Sequence, residues 1–332
     1  MPRVLFVGDI HPDGHRLFDS RPEFERVLFA DPKRSDLLET MPEIDAIILR
    51  KLTLDSDLLA RADRLRMVSR HGVGCDNVDV VALTRRGIPL TTVGDANSAS
   101  VAEHAMLLLL ASARRLPALT SLAASPADEI GRARFLKARD SVGTMELAGR
   151  MLLIVGFGRI GRRLARLASA FDMQVVVADP YIDPDDPALR GFRHIAHFDA
   201  ALGEADAVAL CLPATPADAP LFSTSQFAGM KQGAVFVNVS RGSLVDEAAL
   251  ADAVEQGHLR GAGTDVWQHL PPGPDHRFFG LPGMVATPHC AAHTEACLSR
   301  MATISVSNVF DFFDGRLNRD LCFNPQVFDG QG

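Results

Sequence analysis

The segment from Met151 to Pro180, MLLIVGFGRIGRRLARLASAFDMQVVVADP, constrains the fold more than any other part of the chain. An apolar run enters Gly156, Gly158 and Gly161, passes into a stretch of helical character and ends in a second apolar run closed by Asp179. Strand, glycine turn, helix and strand in such close succession make the two strands parallel neighbours, because a crossover helix returns the chain to the same end of the sheet. Each glycine has a mechanical reason. The first makes a tight turn, the second lets backbone approach a pyrophosphate, and the third lets the helix pack on the strand. The helix start offers unpaired N–H donors and a positive dipole end to phosphates. A lone G-x-G-x-x-G is an ordinary glycine turn; a preceding strand, a following helix and an acid about 20 residues further on turn it into a dinucleotide fingerprint. Asp179 is expected to accept hydrogen bonds from the adenosine ribose hydroxyls and to repel a 2′-phosphate. Pro180 and Tyr181 bring no compensating cation, so NAD is expected over NADP.

Similar runs of Val, Ile and Leu recur at Val4 to Val7, Ala46 to Leu49, Met67 to Ser69 and Leu90 to Val93. A second series follows at Met151 to Val155, Val175 to Ala178, Ala207 to Leu210, Val235 to Val239, Gly261 to Thr264 and Val285 to Thr287. Helix-like spacers such as Asp246 to Gln256 separate several of them, the pattern of parallel sheets covered on both faces. At 332 residues the chain exceeds what one core serves, so two α/β domains, each a doubly wound parallel sheet, are expected. Asn97 to Arg115 reads as the connector, with Ser98 or Ser100 able to cap a helix carrying Ala102, Met106, Leu109 and Ala113 on one face. Pro126 to Ser141 reads as a charged helix, and a helical pattern from Cys297 to Phe313 is expected to cross back to the first domain.

A hydrophobic share of 47% and a charged share of 23% fit an ordinary globular protein. With a net charge of -7 and no basic stripe, nucleic acid and anionic membrane are poor partners. Cys75, Cys211, Cys290, Cys297 and Cys322 show no CxxC or paired spacing, which points to free thiols, a reducing cytoplasmic compartment and no metal knuckle. No signal peptide is expected ahead of Val4, and the apolar stretch Ala105 to Ala111 is too short to span a bilayer and reads as a buried helix.

Two segments place polar groups just beyond expected strands, where doubly wound sheets bind ligands. Ser240, Arg241 and Gly242 follow VFVNV, and Arg241 could clamp a carboxylate at two points, although an arbitrary Arg more often ends in a surface ion pair. His289 follows a strand and a proline in ATPHCAAHT. Hydride loss from a hydroxyl needs a base for the oxygen's proton, and imidazole titrates in the right range. Among eleven histidines only its company singles this one out.

With SRHGVGCDNVD from Ser69, NSASVAEH from Asn97, ELAGR from Glu146, VGFGRIG from Val155, LPATP from Leu212, NVSRGSLVDEAAL from Asn238, GAGTDVW from Gly261 and TPHCAAHT from Thr287, the sequence resembles the D-isomer-specific 2-hydroxyacid dehydrogenase family over most of its length. The resemblance implies an NAD-dependent hydride transfer between the nicotinamide and C2 of a small D-2-hydroxy or 2-keto acid, with His289 as acid/base and Arg241 on the substrate carboxylate. It implies that backbone N–H groups of Val73 and Gly74 cradle that carboxylate, that Asp265 orients the nicotinamide carboxamide, and that Arg159 and Ile160 lie under the pyrophosphate. Val101, Leu212, Pro213 and Val239 join the cofactor set of Gly156, Gly158, Gly161 and Asp179, and Arg50 with Lys51 is a candidate reader of the substrate's distal group. A solvated loop pair is an equal reading of Arg50 and Lys51.

The expected arrangement is a Rossmann NAD-binding domain, 98–294, inserted in a flavodoxin-like substrate domain of 1–97 and 295–332, with the active site in the cleft between them. A homodimer formed mainly through the cofactor domains, with Asn97 to Arg139 contributing, is implied as well. No appended regulatory domain, and so no amino-acid feedback, is expected. Glyoxylate, hydroxypyruvate, an aromatic keto acid and 3-phosphoglycerate all stay open as substrate, Arg50, Lys51 and His71 hinting at a polar or anionic tail.

One position departs from the pattern. Similar enzymes carry a Glu shortly after the DVW segment that hydrogen-bonds the catalytic imidazole, and here Leu270 stands in its place. A leucine can neither orient the ring nor favour its protonated form. Either His289 works without a carboxylate, or Asp275 or His269 substitutes for it, or the chain is an NAD-binding sensor or co-repressor-like scaffold with vestigial catalysis.

Overall fold

In a computed structural model of the chain, residues 1–124, 127–214 and 220–329 are described, with 127–130 described by backbone alone. The chain divides into two compact units, Met1–Asn97 with His293–Gly332, and Ser98–Ala292.

The first unit alternates strands β1 (Arg3–Val7), β2 (Glu25–Phe29), β3 (Ala46–Leu49), β4 (Met67–Arg70) and β5 (Leu90–Thr91) with helices α1 (Pro12–Asp19), α2 (Arg34–Thr40), α3 (Ser56–Arg61) and α4 (Val80–Arg85). The parallel order β2-β1-β3-β4-β5 is the flavodoxin-like one. Alternate residues of β1 serve opposite faces. Val4 and Phe6 pack with Phe18, Phe24, Val306 and Phe310, while Leu5 and Val7 pack with Leu37, Leu58 and Leu83. Val306 and Phe310 belong to the returning helix of Glu295–Phe313, whose first turn is capped by Thr294 accepting from the Cys297 N–H at 3.2 Å. Strand β2 escaped the sequence reading. It is an edge strand, and its ERVLF lacks the continuous apolar run of a strand buried on both faces.

His71 follows β4, is 5% exposed, and its Nε2 finds no hydrogen-bond partner among the described residues. Burial pushes its pKa down to about 4, and Arg50, Arg70 and His293 add positive charge in the same direction. The unfolded chain binds this proton near pH 6.5 and the folded one does not, so stability is complete above that pH and is lost as pH falls toward 4, by about 3 kcal/mol at pH 4. We expect denaturant titrations to find that His71→Leu flattens this acid-side decline; an unchanged slope between pH 6.5 and 4 would refute it.

The second unit begins with α5 (Ser98–Ala113), α6 (Leu116–Ala123) and α7 (Ala127–Ser141), which breaks helical geometry at Gly131; Pro126, expected at the head of this helix, lies outside the described residues. It continues through β6 (Met151–Val155), α8 (Arg159–Ala170), β7 (Gln174–Ala178), β8 (Arg193–Ile195), β9 (Ala207–Leu210), α9 (Thr224–Gly229), β10 (Val235–Asn238), α10 (Glu247–Glu255), β11 (Gly261–Thr264) and β12 (Met284–Ala286). The returning helix of the first unit is α11 in this numbering. The parallel order β12-β11-β10-β9-β6-β7-β8 is a Rossmann sheet extended by one strand, with its switch point between β6 and β9. Helix α5 buries the expected face and more. Val101, Ala105 and Leu108 are buried along with Ala102, Met106, Leu109 and Ala113, as befits a helix apolar on most sides. Ser98 is its first residue, and its hydroxyl accepts from Arg163 Nε at 2.7 Å. Among the described residues no single helix is long and apolar enough to cross a membrane.

Candidate active site

The strands of the second unit end at one edge of its sheet, and the loops that follow carry most of the candidate residues. After β6, Gly156 takes φ +95°, and a Cβ there would lie 2.8 Å from the backbone of Cys211 and Leu212, the chain leaving β9. A Cβ on Gly161 would lie 2.2 Å from the Gly156 carbonyl oxygen, so α8 packs directly on the turn. Gly158 is different: a Cβ there meets nothing within 4 Å. Protein packing therefore does not demand glycine at 158, whereas a ligand lying across the turn would. As N-cap of α8, Gly158 supplies no side-chain bond to the helix start, and the first turn, with Arg159, Ile160 and Gly161, keeps its N–H groups for an anion.

Asp179 leaves β7 with Oδ2 accepting from the Phe157 N–H at 2.8 Å and Oδ1 from the Tyr181 N–H at 3.0 Å. These bonds hold the carboxylate beside the glycine turn, and each oxygen retains a lone pair for a hydroxyl. Arg162, on the same helix, is bidentate to Asp186 at 3.2 and 2.6 Å and is committed there. After β9 Leu212 is half-buried and Pro213 exposed, and the end of LPATP, Thr215 and Pro216, lies outside the described residues. Val239 is buried beyond β10, while Val101 sits in the core cluster of the unit.

Beyond β10, the turn of Ser240, Arg241 and Gly242 is tied by Asn238, which donates from Nδ2 to the Arg241 carbonyl at 2.9 Å and accepts from the Ser240 N–H at 3.0 Å. Gly242 presses on the chain leaving β11, where a Cβ would lie 1.9 Å from the Trp267 carbonyl carbon. Trp267 in turn donates from its indole to the Thr287 carbonyl at 2.9 Å. The Arg241 turn and the His289 turn are thus braced through one tryptophan, a residue that sequence reasoning passed over because its signal is only an aromatic after the expected Asp.

His289 is exposed and holds φ 58°, the left-handed region rarely adopted by residues other than glycine. Its N–H donates to the Thr287 carbonyl at 3.0 Å. Asp265, 1% exposed, holds the turn from below. Its Oδ1 accepts from Thr287 Oγ1 at 2.6 Å and the Cys290 N–H at 2.8 Å, and its Oδ2 from the Ala291 N–H at 2.8 Å. Left-handed strain costs about 1–3 kcal/mol. Bonds to a charged acceptor contribute about 1.5–3 kcal/mol each, enough to sustain it. The carboxylate that the resemblance gives to the nicotinamide carboxamide accordingly also shapes the His289 turn.

His104, Asp265 and Cys290 bring three ligand atoms within 4.8 Å of one another. Hydrogen bonds already occupy them: Asp265 Oδ1 accepts from two donors, and His104 Nε2 sits 2.9 Å from Thr287 Oγ1. Burial and the Asp265 charge raise the Cys290 pKa, disfavouring the thiolate a metal would want. The group reads as a hydrogen-bond network.

In the first unit, Arg70 donates from Nε to the Gly74 carbonyl at 2.9 Å and from one terminal nitrogen to the carbonyls of Leu49 and Arg50 at 2.9 and 2.8 Å. One guanidinium thus joins the loops after β3 and β4 and turns their carbonyls toward itself. The N–H groups of Val73 and Gly74 donate to no protein acceptor among the described residues, which suits an anion cradle. Arg50 donates to the Asp9 carbonyl. Leu270 is 53% exposed, with His269 and Asp275 exposed in the same loop. That loop is anchored instead by His276, whose Nε2 is 3.0 Å from Glu247 Oε2, a pair the sequence reading did not find.

Residues 106–291 match the family model described as "D-isomer specific 2-hydroxyacid dehydrogenase, NAD binding domain". The chain belongs to this family. D-3-phosphoglycerate dehydrogenase of Mycobacterium tuberculosis is 41% identical over 304 residues, 91% of this chain and 55% of that protein. The chain spans about half the length of the curated relatives it matches. Among solved structures, a protein from Thermus thermophilus has a TM-score of 0.82 at 30% identity, covering 95% of this chain and 98% of its own. NAD-dependent formate dehydrogenase from Staphylococcus aureus, in complex with NAD, has a TM-score of 0.82 at 25% identity, covering 97% and 98%. NAD is the cofactor of this dehydrogenase domain, and the residues present fit it: the open space over Gly158, the N–H groups of the α8 start and the Asp179 carboxylate.

Proposed function

We propose that this dehydrogenase-family chain interconverts a small 2-keto acid and its D-2-hydroxy acid, with His289 as the acid/base at the C2 oxygen and Arg241 on the substrate carboxylate. The observation that carries the reading is the His289 turn, a left-handed histidine held by a buried carboxylate beside the braced Arg241 turn at the ligand-binding edge of an NAD-type sheet. Such strain, sustained by surrounding bonds, is the signature of a functional site. Bound NAD supplies or accepts the hydride. His289 delivers the proton to the oxygen in reduction and withdraws it in oxidation. Arg241 pairs with the carboxylate and polarises the keto oxygen. Substrate-binding roles are proposed as well for Arg50, Val73 and Gly74, the last two through backbone N–H groups. The cofactor roles given above to Val101, Gly156, Gly158, Arg159, Ile160, Gly161, Asp179, Leu212, Pro213, Val239 and Asp265 are part of the same proposal.

Leu270, standing where similar enzymes carry a Glu, favours a second reading, an NAD-binding sensor with vestigial catalysis. NADH consumption with glyoxylate, hydroxypyruvate, phenylpyruvate and 2-ketoglutarate separates the two. Turnover with at least one supports the enzyme; NADH binding with no turnover supports the sensor. With leucine at the position where similar enzymes carry a Glu, reduction is expected to run slowly and best at low pH. Leu270→Glu should raise kcat and extend the active range upward by about one pH unit or more. An unaltered rate and pH profile in that variant would remove the missing carboxylate as the cause.

A homodimer is part of the proposal, since α6, LPALTSLA, buries none of its residues and leaves Leu116 exposed, as α5 leaves Leu107. A monomer by light scattering would exclude it.

A further inference from the structure

His104 lies on α5, far in sequence from the His289 turn, and its side chain is 13% exposed. Its Nε2 is 2.9 Å from Thr287 Oγ1, which is itself 2.6 Å from Asp265 Oδ1. A hydroxyl has one proton to give. At 2.6 Å from a carboxylate oxygen that proton belongs to the Asp265 bond, so Thr287 must accept from His104, and Nε2 of His104 carries hydrogen. The order of donation is therefore His104 to Thr287 to Asp265. Asp265 receives in addition the N–H groups of Cys290 and Ala291, the two residues that follow His289. On the other side of Thr287 its carbonyl takes both the His289 N–H and the Trp267 indole. The bonds described around the left-handed backbone of His289 thus converge on Thr287 and Asp265, and His104 is the group on α5 that donates to the hydroxyl joining them.

We propose that His104 is a positioning residue for His289: by donating to the Thr287 hydroxyl oxygen it holds that hydroxyl against Asp265 and locks the turn that presents the imidazole. The inference rests on the reading of His289 as the acid/base. Without the donor, the Thr287 oxygen loses its tie to α5 and is left with Asp265 and the longer contact to the Thr264 carbonyl at 3.4 Å, so the Thr287–Asp265 bond is less firmly fixed. The backbone at 289 then relaxes from φ 58° toward ordinary values and the ring departs from its working direction.

The test uses the full chain with NADH and the best 2-keto acid of the panel. His104→Leu is expected to lower kcat by about tenfold to a hundredfold, the usual effect of removing a group behind a working residue, while KM for NADH stays within about twofold. His104→Gln, whose amide can donate to the same oxygen, is expected to regain most of the lost kcat, and Thr287→Val to repeat the loss where His104→Leu folds poorly. Wild-type kcat in His104→Leu, or a glutamine variant no better than the leucine one, overturns the proposal. Amide hydrogen exchange in the protein without substrate supplies a readout independent of turnover. The Cys290 and Ala291 amides should exchange at least about tenfold faster in His104→Leu, with those of β6 unchanged, because a weakened hold opens the turn locally. If wild type reduces no 2-keto acid, the acid/base reading fails while the exchange result still decides the hold: faster exchange at those two amides supports it, and unchanged exchange refutes it.

Discussion

His289→Asn is expected to lower kcat for 2-keto acid reduction by about 10²–10⁴ while leaving NADH affinity and thermal stability near those of wild type. Asparagine is the informative replacement because the backbone at 289 sits at φ 58°, a region that asparagine tolerates better than other side chains. Alanine would combine the loss of the imidazole with left-handed strain, and a lower rate would then have two causes. An amide cannot transfer a proton near neutral pH, so the loss isolates the acid/base step. If Asn at 289 supports wild-type kcat, proton transfer belongs to another group. A parallel loss of NADH affinity would instead show that 289 contributes to holding the cofactor.

The second large effect lies in the glycine turn, where two substitutions of identical chemistry are expected to fail differently. Gly158→Ala should weaken NADH binding by at least about tenfold with little change in Tm, because its methyl enters space that no protein atom claims within 4 Å. Gly161→Ala should reduce stability, by about 1–3 kcal/mol or more, since its methyl would sit 2.2 Å from the Gly156 carbonyl oxygen and force α8 off the turn. NADH affinity falls there as a consequence of displaced backbone. Titration of NADH fluorescence together with thermal melts distinguishes the cases. A Gly158→Ala protein that binds NADH as tightly as wild type would refute the placement of the pyrophosphate over that residue; a stable, unperturbed Gly161→Ala protein would refute the packing.

Much of the architecture was legible because parallel strands buried on both faces read as continuous apolar runs. LFV, AIIL, LLIV, VVVA, AVAL and VFVN appear as such in the primary structure, and each is an interior strand. ERVLF and RHI were missed for the converse reason: β2 and β8 are the edge strands at one end of each sheet, and solvent on one side lets charge into the run. Helix α5 was legible as a buried helix from its apolar stretch, and burial extends beyond the one face of Ala102, Met106, Leu109 and Ala113 because neighbours cover it on most sides.

For the candidate site, the loops were readable because each follows a strand, and a parallel sheet delivers all of its strand ends to one edge. Local sequence thereby determined where Gly156, Asp179, Arg241, Asp265 and His289 would stand relative to that edge. What it left open is what holds them. His104 and Thr287 are separated by 183 positions, Trp267 and Thr287 by 20. Neither spacing is a local period of helix or strand, so no pattern in the chain announces these pairs. They arise when β10, β11 and β12 come into register and α5 packs beneath them, bringing donors and acceptors from distant segments within hydrogen-bond reach. Local order therefore settled the elements and the edge at which chemistry could occur; the left-handed turn at His289, and the buried carboxylate that sustains it, exist only through long-range packing.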